Sequence, residues 1–245
     1  MDYLVFQLRA PLSAWGETAV GEYRPTSNYP SNSALLGLLA AALGIDREDE
    51  HAHLTLHKGY GFAVCVLSAG RLLRDYHTTQ VPGVVPLKNR PHFTRRDELN
   101  LPKEDLNPIL STRDYRQDAA CLVAVQATAG APYTLSDLAE ALQKPRFVLY
   151  LGRKSCPLAV PLCPQILKTE NALKAIENYQ KNLAKLDVYT VQDSLERVVW
   201  GMGVDVGCEH DLQVIRKDDL LSRKRWQFGD RIEYIALLGD KKNVL

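Results

Sequence analysis

The chain has 245 residues with 30 Lys and Arg against 29 Asp and Glu. It therefore cannot coat nucleic acid by bulk charge, and any anion site must come from clustering. The length fits one large domain or two small ones. Five scattered cysteines without CxxC spacing argue against a disulfide framework and against zinc, and no apolar run approaches the ~20 residues that span a bilayer. The N-terminus lacks the features of a signal peptide. A reduced, cytoplasmic protein is expected, with no membrane partner, no metal and no cofactor.

"YLVFQLRAPLSAW" opens the chain as a buried strand closed by Pro11. Trp15 is expected in the core. A Pro-containing loop follows, with Arg24 inside it. Ser31, Asn32 and Ser33 then offer N-cap oxygens to an Ala/Leu helix that ends at Gly44. Gly37 inside that helix implies close packing. The free N–H groups at its start are a place for a phosphate. "DREDEHAHLTLHK" reads as a polar helix. His53 and His57 share one of its faces, and that face is expected to be solvated, because the spacing matches no metal site.

"YGFAVCVLSAGRLLRDYHT" reads as strand, turn at Gly70 and strand. "DAACLVAVQAT" is a strand, "TLSDLAEALQKP" a helix ended by Pro145, and "RFVLYL" a last strand. In that strand Arg146, Val148 and Tyr150 would face outward, and Phe147, Leu149 and Leu151 inward. The order β, α, β(β), β, α, β predicts an α+β, ferredoxin-like domain over residues 1–160, its helices on one sheet face and the other face open to a ligand. An insertion of about 79–112, rich in Pro, interrupts it. Its first half carries Lys88, Arg90, Arg95 and Arg96, and its second half Asp97, Glu98, Glu104 and Asp105. The signs are segregated, so one arm can meet an anion. Over 161–245, an exposed helix "ENALKAIENYQKNLAKL" and short strands in "DVYTVQDS", "ERVVWGMGVDVG" and "KRWQFGDRIEYIALLG" predict a small β-rich C-terminal domain.

"KPRFVLYLGRKSCP" holds Lys144, Arg146, Arg153 and Lys154 with no carboxylate. Cations beside Tyr150 suit phosphate grip next to a stacking surface. Alternatively these are solvated turn residues. Tyr76 and His77 form the one pair with acid–base potential. Alternate strand positions face opposite ways, which favours a structural or contact role for them.

Several motifs occur here in one order: "LRAPLSAWG", "RPTSNYPSNSALLGLLAAALGI", "LLRDYHT", "STRDYRQDAACLVAV", "KPRFVLYLGRKSCPL" and "DVYTVQDS". Together they resemble the CasD-type subunits of Cascade, the type I-E CRISPR surveillance complex. The resemblance implies an RNA-recognition-type domain with a protruding β-hairpin thumb. It also implies a non-catalytic subunit that binds the 5′ handle of the crRNA and caps one end of the complex. Implied partners are crRNA, an adjacent backbone subunit, the large subunit and, through the assembly, target DNA. The expected RNA contacts are Arg24, Ser33, His77, Lys88, Arg90, Arg95, Arg96, Arg113, Arg146, Tyr150, Arg153 and Lys154. The runner-up is a metal-independent endoribonuclease acting on repeat RNA, as related subunits do in type I-C systems, with Tyr76 and His77 as the pair.

Overall fold

The computed structural model describes residues 1–84, 88, 90, 93–185 and 194–239. The larger sheet contains β1 (Asp2–Arg9), β4 (Tyr60–Ser68), β7 (Ala120–Ala127), β8 (Gln165–Lys168), β9 (Arg197–Gly201), β10 (Leu212–Ser222) and β11 (Gln227–Leu237). Its order is β10-β11-β9-β4-β7-β1-β8, and every neighbouring pair is antiparallel. The C-terminal strands were expected to form a small domain of their own. They instead extend the same sheet past β4, because the apolar run Val198-Val199-Trp200 satisfies the free edge of β4. Of "DVYTVQDS", residues 187–193 lie outside the described residues.

The central strands β1, β4 and β7 are covered on both faces. Along β1, Leu4, Phe6 and Leu8 pack into one core with α1 (Asn32–Leu43), α2 (Glu50–Gly59) and α4 (Leu135–Gln143). Tyr3 and Val5 point the other way, into a second core with α5 (Ala172–Lys185). The helix expected to be exposed therefore buries a full stripe: Ala172, Ala175, Ile176 and Tyr179 are inaccessible. The Tyr179 hydroxyl donates to the carbonyls of Leu162 and Cys163 at 3.0 and 2.9 Å. Burial of Ile176 or Leu183 stabilises by about 1.5–3 kcal/mol each. Among the described residues β1, β4 and β7 are buried on both sides, contrary to the expectation that one sheet face stays open.

α1 follows its sequence signals. Ser31 accepts from the Ala34 N–H at 3.2 Å, and Gly44 closes the helix at φ 76°. Gly37 is not crowded: a Cβ there would meet only Arg223 Nη2 at 3.8 Å. α2 is not a solvated polar face. His53 is buried and its Nε2 faces the Asp46 carbonyl, while His57 Nε2 pairs with Asp219 Oδ1 at 2.9 Å. Among the described residues no three His, Cys, Asp or Glu side chains gather as metal ligands, and no helix is long and apolar enough to cross a membrane.

The smaller sheet carries a long hairpin. β5 (Arg71–Pro82) pairs antiparallel with β6 (Leu106–Gln117) along its whole length, from Arg71↔Gln117 to Pro82↔Leu106. The excursion thus starts earlier and returns later than the insertion at 79–112. Gly70 makes the turn into it at φ 67°. At its far end sits the short α3 (Arg95–Leu99), capped reciprocally by Thr94 and Asp97. β2 (Leu12–Ser13) and β3 (Tyr23–Arg24) flank the base of β6, β3 in parallel.

The segment 146–151 is not a strand. The N–H groups of Arg146 and Phe147 donate to the carbonyls of Ala42 and Ala41, which ends α1 with partners for its free carbonyls. The place beside β1 goes to β8 instead. Leu149 and Leu151 are buried as expected, but Phe147 is 46% exposed.

Candidate nucleic-acid interface

The base of the hairpin is built around one buried carboxylate. Asp114 is 2% exposed. Arg74 holds it with Nε to Oδ1 at 2.9 Å and Nη2 to Oδ2 at 3.2 Å. The Tyr23 hydroxyl donates to Oδ2 at 2.5 Å and accepts from Arg74 Nη2 at 2.9 Å. The Arg74 hydrogen bonds outweigh burial and, with Tyr23, hold the Asp114 carboxyl below its ordinary range. This closed triad fixes β3 to both hairpin strands and consumes the Asp114 charge.

Three cations gather around that triad without carboxylate partners. Arg24 and Arg113 are register partners where β3 meets β6. Arg153 donates to the carbonyls of Asp114 and Arg24 at 3.2 and 3.3 Å, and its guanidinium lies 4.5 Å from the Tyr115 ring centroid. Arg24 donates to the carbonyls of Gly21 and Tyr23, and Arg113 Nε to the Ser111 hydroxyl at 3.1 Å. Among the described residues none of these three forms an ion pair. Lys154 is exposed beside them. Planar guanidiniums held by neutral carbonyls, a hydroxyl and a ring suit phosphate oxygens.

The other expected contacts are dispersed. His77 shares the Arg113 side of the hairpin, with Nδ1 3.6 Å from Asp75. Tyr76 lies on the opposite side, so the two do not converge. Lys88 is exposed, and Arg90 donates to the Asn100 carbonyl at 2.8 Å. Arg96 is exposed on α3, whereas Arg95 pairs with Glu98 at 2.6 Å and donates to the Gln80 carbonyl. The segregation of sign along the insertion is thus broken in space at Arg95. Ser33 does not face an open anion site. Its hydroxyl bonds to Ser31 at 3.0 Å, and the Asn32 N–H already donates to Asp218 at 2.7 Å. The positive end of α1 is filled by the chain's own carboxylate.

The protein-family model described as CRISPR-associated protein (Cas_Cas5) matches residues 3–232. The chain belongs to the Cas5 family. It is 34% identical to the CRISPR system Cascade subunit CasD of Escherichia coli (strain K12), over 96% of this chain and 95% of that one. Two solved structures share its fold at 24% identity. One, titled CRISPR RNA-guided surveillance complex, has a TM-score of 0.62 over 96% of this chain and 89% of the matched one. The other, titled Crystal structure of Cas protein, has a TM-score of 0.59 over 96% and 94%.

Reading the sequence of this Cas5 family member did not find Arg74, Tyr23 and Asp114 as a unit. They come from three distant segments, and only the pairing of β5 with β6 and of β3 with β6 joins them. Nor did it place Arg146 and Tyr150 apart from Arg153. Arg146 packs along Gly44 at the end of α1, while Gly152 turns the chain at φ 87° and sends Arg153 to the hairpin.

Proposed function

We propose that this Cas5 chain is the non-catalytic subunit of a type I-E Cascade complex that holds the crRNA 5′ handle and caps one end of the backbone. The observation that carries this reading is the trio Arg24, Arg113 and Arg153: three guanidiniums that form no ion pair among the described residues, at the root of a long hairpin, in a chain whose relative is a Cascade subunit. The antiparallel order β8-β1-β7-β4, with α1 and α2 joining β1 to β4 and α4 joining β7 to β8, supports a ferredoxin-like domain. The β5–β6 hairpin is its thumb. With β1, β4 and β7 covered on both faces, RNA meets hairpin and loops, not the centre of the sheet. The adjacent backbone subunit and the large subunit are the protein partners, and the complex works in the cytoplasm. The separation of Tyr76 from His77 favours binding over cleavage.

Changing Arg24, Arg113 and Arg153 together to Ala should lower the salt slope of crRNA binding by about 2, roughly 0.7 per lost phosphate contact on a single strand. The affinity loss should be similar for altered handle sequences, since phosphate contacts position the RNA and do not read it. Binding is measured with purified chain and repeat-derived RNA between low and moderate salt, in EDTA, with the RNA inspected for cuts. An unchanged slope in a folded variant would remove the trio from the RNA site. Site-specific cutting lost on His77→Ala would replace binding by catalysis.

A further inference from the structure

The turn between β10 and β11 carries "SRKRW", Ser222 to Trp226. Trp226 is 52% exposed, and two guanidiniums lie on its ring: Arg223 at 4.2 Å and Arg47 at 4.4 Å from the centroid. Each cation–π contact is favourable, but two like charges on one indole repel. Arg223 is half-buried above Gly37 of α1, and its Nε is buried with no hydrogen-bond partner. Burial, and then the like charge of Arg47, disfavour its cation. Neither arginine makes an ion pair among the described residues. Arg47 sits in the acidic run Asp46-Arg47-Glu48-Asp49-Glu50, and Glu50 of that run is committed to the turn itself. It accepts from the Lys224 N–H at 2.8 Å and from the Ser222 side chain, which ties the turn to α2. The platform is therefore fixed while its charge stays open.

We propose that Arg47, Arg223 and Trp226 form a second station for single-stranded RNA, gripping one phosphate beside an aromatic platform. The inference rests on the RNA-binding reading above. A bound phosphate would lie against two guanidiniums that form no ion pair among the described residues and relieve their mutual repulsion. Tyr150 lies in the neighbourhood of Arg223, and Arg146 covers Gly44, three residues before Arg47. Residues 150–153 thus lead from the Arg153 trio to this turn. That continuity favours one RNA strand over an acidic protein segment. The cations of "KPRFVLYLGRK" thus part: Arg153 stands at the hairpin base and Arg146 at the end of α1, close in sequence to Arg47.

Trp226 supplies its own reporter, because Trp15 and Trp200 are buried. Intrinsic emission is recorded while repeat-derived single-stranded RNA is titrated into the full chain, and anisotropy of the labelled RNA is followed in parallel. The RNA should change an emission component that Trp226→Phe removes and that added salt restores. Arg47→Ala, at an exposed position, should weaken binding roughly tenfold, the worth of one charge-assisted hydrogen bond, and lower the salt slope by about 0.7. If anisotropy reports binding while Trp226 emission and the Arg47→Ala affinity stay unchanged, the second station is wrong and the hairpin site stands. If polyglutamate changes Trp226 emission and RNA does not, the surface meets an acidic protein segment and the proposal is overturned. If the RNA gives no anisotropy change at all, both readings fall together.

Discussion

Replacing Arg231 by alanine should cost about 3–5 kcal/mol of folding stability, the usual result of removing one partner from a buried ion pair; Arg216 stays 3.5 Å from Glu233, so Asp218 is the carboxylate that loses its hydrogen-bonded cation. Arg231 donates to Asp218 with Nε at 2.9 Å and Nη2 at 3.0 Å, and to Glu233 at 2.7 Å. Both carboxylates are under 5% exposed: 4% for Asp218 and 3% for Glu233. Asp218 also accepts the first N–H of α1, and Glu233 accepts the Tyr29 hydroxyl at 2.7 Å. Burial first, and then Glu233, pushes the Tyr29 hydroxyl up to about 12. The network therefore bonds β10 and β11 to the start of α1 and to the loop before it. Burial alone would raise the Asp218 carboxyl, but the bonds and charge of Arg231 outweigh it and hold the group below its ordinary 3.8. A carboxyl lowered in the folded state contributes stability above its unfolded value and loses it as pH falls through the folded value. The gap between wild type and Arg231→Ala in urea should thus be full at pH 7 and shrink below about pH 4. A gap under about 1 kcal/mol at pH 7 would mean that the network relaxes or admits water.

Gly152→Ala should break both structure and binding. Gly152 sits at φ 87°, and a Cβ there would lie 1.8 Å from the Ala14 carbonyl oxygen. The left-handed backbone alone costs an L-residue about 1–2 kcal/mol. The overlap adds more, because a backbone oxygen cannot rotate aside as a side chain does. Ala14 and Leu151 are joined by a backbone hydrogen bond of 3.0 Å, so any shift moves Arg153 away from the Asp114 and Arg24 carbonyls. Gly21→Ala is the matched control: φ is 58°, and a Cβ there meets nothing within 4 Å. Thermal melting should show a loss for Gly152→Ala well beyond that of Gly21→Ala, with weaker RNA retention only in the former. Equal losses would mean that the contact with Ala14 does not constrain the turn.

What the sequence made legible was local chemistry. Ser31 and Gly44 bound α1 because a hydroxyl N-cap and a left-handed C-terminal residue act within a few positions of themselves. The Gly70 turn is legible for the same reason. Other choices were settled by competition between distant segments. Arg146–Leu151 alternates like a strand, yet its first N–H groups went to the end of α1, and the short Gln165–Lys168 took the sheet edge. The second covered face was readable but outweighed by charge. β1, β4 and β7 are apolar on both sides, the signature of a doubly buried sheet. Ala172, Ala175, Ile176, Tyr179 and Leu183 form the matching helical stripe. β10 was missed because its buried Asp218 and half-buried Arg216 read as surface charges until their partners on β11 are seen. At the candidate site the cations were visible singly. Which of them keep their charge depends on Asp114 being taken by Arg74 and on Asp218 being taken by α1 and Arg231.

The order of strands also sets the order in which the chain can be made. β1 leaves the ribosome well before its two neighbours, β7 and β8. Roughly a hundred residues must be synthesised before β7 can pair with it, which takes roughly 5–20 s at typical elongation rates. Over that interval Tyr3 to Leu8 is an apolar strand with two open edges, the form most prone to pair with another nascent chain. α1 and α2 are finished within it and belong to the same core as Leu4, Phe6 and Leu8. Shielding of one side of β1 by these helices is the protection available to the nascent chain before its sheet exists.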